Sequence, residues 1–135
     1  MSASVALQAA IYGRLTADPG VSALVADRVF DGAPTGADFP YIEFGPSDAV
    51  PADAECVPGR IETLQIDCWS RKDGRLSGAR ALADAVKAAL HHAELDLGDH
   101  ALLSLRVAQS RAFMDQDGLT AHGVVTVEGV IEEAA

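Results

Sequence analysis

The sequence predicts an α+β fold in which helices cover one face of a mostly antiparallel β-sheet. Two periodicities and one turn carry that expectation. Between Arg60 and Trp69 the residues alternate, with Leu64, Ile66 and Cys68 on one side and Thr63, Gln65, Asp67 and Trp69 on the other, the pattern of a strand covered on a single face. From Gly74 to His92 the period lengthens to that of a helix, and Leu76, Ala79, Leu82, Ala83, Val86 and Leu90 form an apolar stripe. Asp115-Gln116-Asp117-Gly118 then joins two strand-like runs, Ala101 to Met114 and Leu119 to Glu132, as a hairpin.

The other elements follow from local chemistry. Ser4 is placed to cap a first helix whose stripe is Leu7, Ile11 and Leu15 and whose stop is Asp18-Pro19-Gly20. Val21 to Ala26 has room for one further turn, and Arg28-Val29-Phe30 for a short extended piece. A Gly- and Pro-punctuated loop runs from Asp31 to Phe39. Pro40-Tyr41-Ile42-Glu43-Phe44 reads as a strand, because proline is tolerated at a strand's first position. Gly45 to Gly59 holds three prolines and the acids Asp48, Asp53 and Glu55 without either periodicity, so it reads as a long loop or the tip of a hairpin. In the last strand Ala121, Gly123, Val125, Val127, Gly129 and Ile131 share one face, where the two glycines suit a crossing helix or a bulge.

Composition bounds the function. The 135 residues fit a single domain, 1–135, since cores divide only in chains of roughly 250 residues or more. At 49% hydrophobic but only 5% aromatic, that core must be aliphatic. Ten basic and twenty acidic residues give a formal net charge of −10, which opposes binding to phosphate backbones and anionic membranes and argues against a nucleic-acid reader. Met1 to Val5 lacks the basic flank and apolar core of a signal peptide, and no run approaches the roughly 20 apolar residues of a membrane span, so synthesis in the cytosol is expected. Cys56 and Cys68 lie outside any metal or redox spacing, and Cys68 has the parity of a buried strand residue.

Catalytic and nucleotide-binding motifs are absent: no phosphate-binding loop, dinucleotide fingerprint, nucleophile elbow, His-Glu-x-x-His pair or EF-hand loop occurs. Asp115 and Asp117 flank a turn, and turn chemistry accounts for them better than a cation does. His91 and His92 close the long helix, where imidazolium would complement the helix dipole. With Glu94, Asp96, Asp99 and His100 they form a cluster that keeps a metal-dependent hydrolase as an alternative, although their spacing matches no recognised ligand set. His122 reads as a surface residue, since no nucleophile bears an evident relation to it. Trp69, an indole on the less apolar strand face, reads either as a cap on the sheet edge or as an interface anchor.

The order of certain phrases resembles a known family. These are Val25-Ala26-Asp27-Arg28-Val29-Phe30-Asp31-Gly32-Ala33-Pro34, Phe39-Pro40-Tyr41-Ile42, Trp69-Ser70-Arg71 and Asp117-Gly118-Leu119-Thr120-Ala121-His122-Gly123. Together they look like the small tail-completion, or tail-terminator, proteins of long-tailed phages, prophages and gene transfer agents. The resemblance implies a mixed, mostly antiparallel sheet with two main helices on one face and a structural protein with no active site and no cofactor. It also implies assembly, in the host bacterial cytoplasm and then in the particle, of a ring, hexameric in similar proteins. That ring caps the head-proximal end of the tail tube, stops its polymerisation and joins it to the head-side connector or stopper, while DNA passes the lumen without specific binding. On loop length, turn placement and the anomalous indole, the expected assembly contacts are Asp48, Asp53, Glu55, Trp69, Arg71, Asp115 and Asp117. Another connector station, such as stopper or adaptor, and a free-standing ligand-binding domain remain alternatives.

Overall fold

The computed structural model describes residues 1–134. In chain order the elements are α1 (Ala3–Ala17), α2 (Pro19–Val25), β1 (Val29–Phe30), β2 (Tyr41–Pro51), β3 (Gly59–Ser70), α3 (Ser77–Leu90), β4 (Ala101–Met114) and β5 (Ala121–Glu132). The strands form a five-stranded sheet in the order β1-β2-β3-β5-β4. Only β1 and β2 are parallel; every other pair is antiparallel, giving the mixed, mostly antiparallel α+β sheet expected.

The period-two pattern decides which face is covered. Leu64, Ile66 and Cys68 of β3, Ile42 and Phe44 of β2, and Val125, Val127 and Ile131 of β5 lie buried together against Leu7, Ile11 and Leu15 of α1 and Leu82, Val86 and Leu90 of α3. Intervening residues stand on the other, open face and are mostly half-exposed. Gly123 admits α3: a Cβ there would come within 3.2 Å of the Ala79 carbonyl and 3.1 Å of the Cys68 Cβ. Burial drives the Cys68 thiol far above its usual pKa, so it acts as a small hydrophobe.

Four local expectations are corrected. The cap of α1 is Ser2, whose Oγ accepts the Val5 N–H at 3.1 Å, while Ser4 lies inside the helix and donates to Glu62 Oε1 at 2.8 Å. Most of the segment expected as a loop from Gly45 is strand: β2 continues to Pro51 after a bulge between Phe44 and Ser47, and only residues 52–58 form a tip. The bulge shifts the side-chain parity midway, which hides the alternation from a sequence reading. His91 is no helix-capping imidazolium, since its Nδ1 accepts the Val107 N–H at 2.9 Å. Desolvation, then the neighbouring His92, Lys87 and Arg106, hold its pKa below the usual value. Finally, His122 is not a free surface residue but is packed between aromatic neighbours on the open face.

Because Ile66 is fully buried at the centre of the covered face and Leu103 is exposed on β4, the two sites should respond very unequally to truncation. Ile66→Ala is expected to lose about 2–5 kcal/mol and Leu103→Ala no more than about 0.5 kcal/mol, read as shifts of the urea midpoint.

Candidate assembly surface

A row of open-face side chains crosses the sheet where β3 ends. Tyr41, Trp69, His122 and Phe113 are successive register partners on β2, β3, β5 and β4, so they stand side by side at cross-strand spacing. Trp69 lies flat on His122, with ring centroids 3.9 Å apart and planes 11° from parallel. Phe113 meets the same imidazole edge-on at 4.9 Å. On the β2 side Tyr41 touches Phe30 at 5.8 Å and Phe39 at 5.1 Å. A guanidinium covers each end of the row: Arg71 lies 4.5 Å from the Phe39 centroid and Arg111 5.2 Å from that of Phe113. Most of the chain's few aromatic residues are thus gathered at one pole of one face.

Polar groups orient this row. His122 Nε2 donates to Asp67 Oδ1 at 2.7 Å, and the same oxygen accepts from Gln65 Nε2 at 2.8 Å. Trp69 Nε1 is buried and, among the described residues, has no hydrogen-bond partner. Burying a donor in that state costs about 1–3 kcal/mol, so packing, not hydrogen bonding, holds the indole here.

Arg71 connects the row to the β4–β5 turn. Its Nε donates to Thr120 Oγ1 at 2.9 Å, and that hydroxyl donates to Asp117 Oδ2 at 2.6 Å. Asp117 Oδ1 accepts the Leu119 and Thr120 N–H groups at 2.9 and 2.8 Å, and Arg71 lies 3.7 Å from the carboxylate. Asp115 closes the same turn through its backbone, its N–H donating to the Thr120 carbonyl and its carbonyl accepting from Gly118. The Thr120 hydroxyl first, then the two backbone amides and finally Arg71, lower the Asp117 pKa to about 2.

All but Asp48 of the residues expected as assembly contacts therefore fall at two poles. Trp69, Arg71, Asp115 and Asp117 come together at the aromatic end. Asp53 and Glu55 lie at the other, with β3 spanning about 36 Å between the poles at roughly 3.3 Å per residue. Asp53 Oδ1 accepts the Gly59 N–H at 2.9 Å and closes the β2–β3 tip, where exposed Glu55 and Cys56 adopt φ of 44° and 70°. Asp48 stands on β2 opposite Thr63. Sequence reasoning did not single out Tyr41, His122 and Phe113 as companions of Trp69. Hairpin register alone would have paired Phe113 with His122, but nothing local announces that β3 lies next to β5. The histidines of the proposed metal cluster are dispersed in use: His100 donates to the Met1 carbonyl and accepts from Ala134 N–H, and His91 serves β4. Among the described residues no group of three or more His, Cys, Asp or Glu is placed to hold a metal ion.

A profile of the family Tail completion protein gp17 matches residues 9–132. The chain belongs to that family. Its fold is shared over nearly its whole length with a chain in the virion of a native gene transfer agent particle, at 28% identity and TM-score 0.90, covering 98% of each. The gp17 protein of bacteriophage SPP1 is similar at 20% identity and TM-score 0.62, covering 98% of this chain and 94% of that one, a likeness of fold. No curated protein matches the sequence. Membership of a tail completion family makes this a structural protein and not an enzyme, so the aromatic pole and the acidic tip are surfaces to be read for contacts, not chemistry.

Trp69→Phe keeps the stack and removes the unpartnered N–H, so it should unfold at a urea concentration equal to or above that of the native protein, whereas Trp69→Ala should lose about 3 kcal/mol. Asp117 has a depressed folded pKa, so its stabilisation is complete above about pH 4 and disappears as pH falls toward 2. Melting temperature measured across that window should drop less steeply in Asp117→Asn than in the native protein.

Proposed function

We propose that this protein is a tail terminator: copies form a ring, hexameric as in similar proteins, that caps the head-proximal end of a tail tube. The ring stops polymerisation of the tube and presents a docking surface to the head-side connector. The single observation that carries this reading is the agreement over 98% of both chains with a component of a gene transfer agent particle, joined to family membership across residues 9–132. The protein is made and assembled in the host cytoplasm and then resides in a phage or gene transfer agent particle.

The architecture suits the task. Projecting groups at both poles of one long sheet would let a subunit touch the tube with one end and the connector with the other. The β2–β3 tip carrying Asp53 and Glu55 and the Arg71–Asp117 turn are the parts that project there. A net charge of −10 suits a channel that DNA traverses without adhering.

Purified protein mixed with assembled tail tubes and imaged by electron microscopy should add a ring at one tip only. Decoration along the tube wall, or no binding, would overturn the terminator reading.

A further inference from the structure

The open face is banded, and its bands have a direction. In the row after the aromatic one, register partners run Glu43, Asp67, Val124 and Arg111 from β2 to β4. Farther along they run Asp48, Thr63, Glu128 and Arg106. Both rows carry an acid on β2 and end in an arginine on β4; Asp48 stands at the open β2 edge, whereas Glu43 lies one strand in from Phe30 of β1. At the far pole the row is Val50, Ile61, Val130 and Ser104, and Leu103 stands beside it where a bulge interrupts β4. Leu103 is 62% exposed and Val50 57% exposed, on opposite flanks at the same height. From pole to pole, with the neutral Gln65, Thr126 and Gln109 row between the two charged ones, the β4 flank offers aromatic, cation, cation and aliphatic groups. The β2 flank offers aromatic, anion, anion and aliphatic groups at matching levels.

Strand direction agrees with this complementarity. Successive antiparallel pairings leave β2 and β4 oppositely directed. Copies set side by side in one orientation thus bring β4 antiparallel to the next copy's β2 with the rows in line. Pro46 and Pro51 lack N–H donors and β1 occupies the β2 edge at Ile42 and Glu43, so side chains, not a continuous ladder, must carry the contact.

The groups are available. Among the described residues neither Arg111 nor Asp48 forms an ion pair, and Arg106, 3.2 Å from Glu128, keeps its side chain 53% exposed. Glu43 accepts the Ala33 N–H at 2.7 Å and lines an open cavity of about 550 Å³ with Asp38, Tyr41 and Arg71. Arg71 already covers the Phe39 ring there, so an incoming guanidinium would be held by the Glu43 and Asp38 carboxylates. Arginines and bulges on an edge strand also discourage indiscriminate pairing. That role alone would not place acids at the same levels on the opposite flank.

The geometry points to a heterologous contact between copies of this chain, in which Arg106 and Arg111 on the β4 flank of one subunit engage Asp48 and Glu43 on the β2 flank of the next. The contact rests on the ring reading and deepens it, because a head-to-tail interface that repeats with a fixed rotation is what closes a ring. Electrostatic matching of this kind sets register and rejects wrong partners.

The test uses the full chain with tail tubes. Arg106→Glu combined with Arg111→Glu, and separately Asp48→Arg, should each reduce the fraction of ringed tips at least tenfold with melting temperature little changed. Asp48 has no ion pair within the chain, so its variant remains informative if the double arginine variant folds poorly. Joining Arg106→Glu to Asp48→Arg in one chain should restore rings. In a Cys56→Ser background, Val50→Cys with Leu103→Cys should give a ladder of disulfide-linked multimers on oxidation. Rings that form normally in the charge-reversal variants, or that yield no cross-links, overturn this contact and leave the ring standing. A native protein that never forms rings on tubes removes the ring reading and this contact with it.

Discussion

β3 is hydrogen-bonded along both edges, to β2 and to β5, and its Leu64, Ile66 and Cys68 form the floor on which the helices rest. The rest of the molecule depends on this one-sided burial. A slip of one residue in β3 would exchange the apolar set for Thr63, Gln65, Asp67 and Trp69 and leave α1 and α3 without an apolar surface to cover. The same alternation therefore builds the core and dictates what the opposite face displays. Trp69 sits in the open because Cys68 and Ser70 do not.

Each pole of β3 is then secured by a polar clamp. At the first, Arg60 reaches Ser4 Oγ at 2.9 Å, Glu62 Oε1 at 3.3 Å and Glu133, tying α1, β3 and the chain end together. Glu62 is only 3% exposed, and a carboxylate so placed is tolerable only because Arg60 and the Ser4 hydroxyl both face it. At the second pole, Arg71, Thr120 and Asp117 bind the end of β3 to the β4–β5 turn. These clamps tie the two ends of β3 to α1, to Glu133 and to the β4–β5 turn. Between them the open face carries ordered rows, since each cross-strand partner stands beside its neighbour.

A structural role explains why residues that look chemical are otherwise engaged. Asp115 and Asp117 hold a turn, His100 ties the two chain ends together, and His91 accepts a backbone amide. Each has a partner that accounts for its position. Only the Trp69 indole N–H is buried without one among the described residues, and it lies in the aromatic row.

The sequence by itself determined the family and, outside the second half of β2, most element types and the apolar stripes that are buried. Helical stripes in α1 and α3, alternation in β3 and β5 and the Asp-Gly turn are local signals, written within a few residues of one another. It also marked Trp69 as anomalous and Asp117 as a turn residue. It did not reveal that β2 continues through a bulge, that Ser2 rather than Ser4 caps α1, or that His122 packs on Trp69. Those outcomes depend on strand order. Placing β5 between β3 and β4 sets Tyr41, Trp69, His122 and Phe113 in one row and puts acids and arginines on opposite flanks. The decisive juxtapositions, those between β3 and β5, join residues more than fifty positions apart, as Asp67 is from His122. Only packing of the whole sheet against its helices chooses among the possible neighbours, because no short-range preference of the chain distinguishes them.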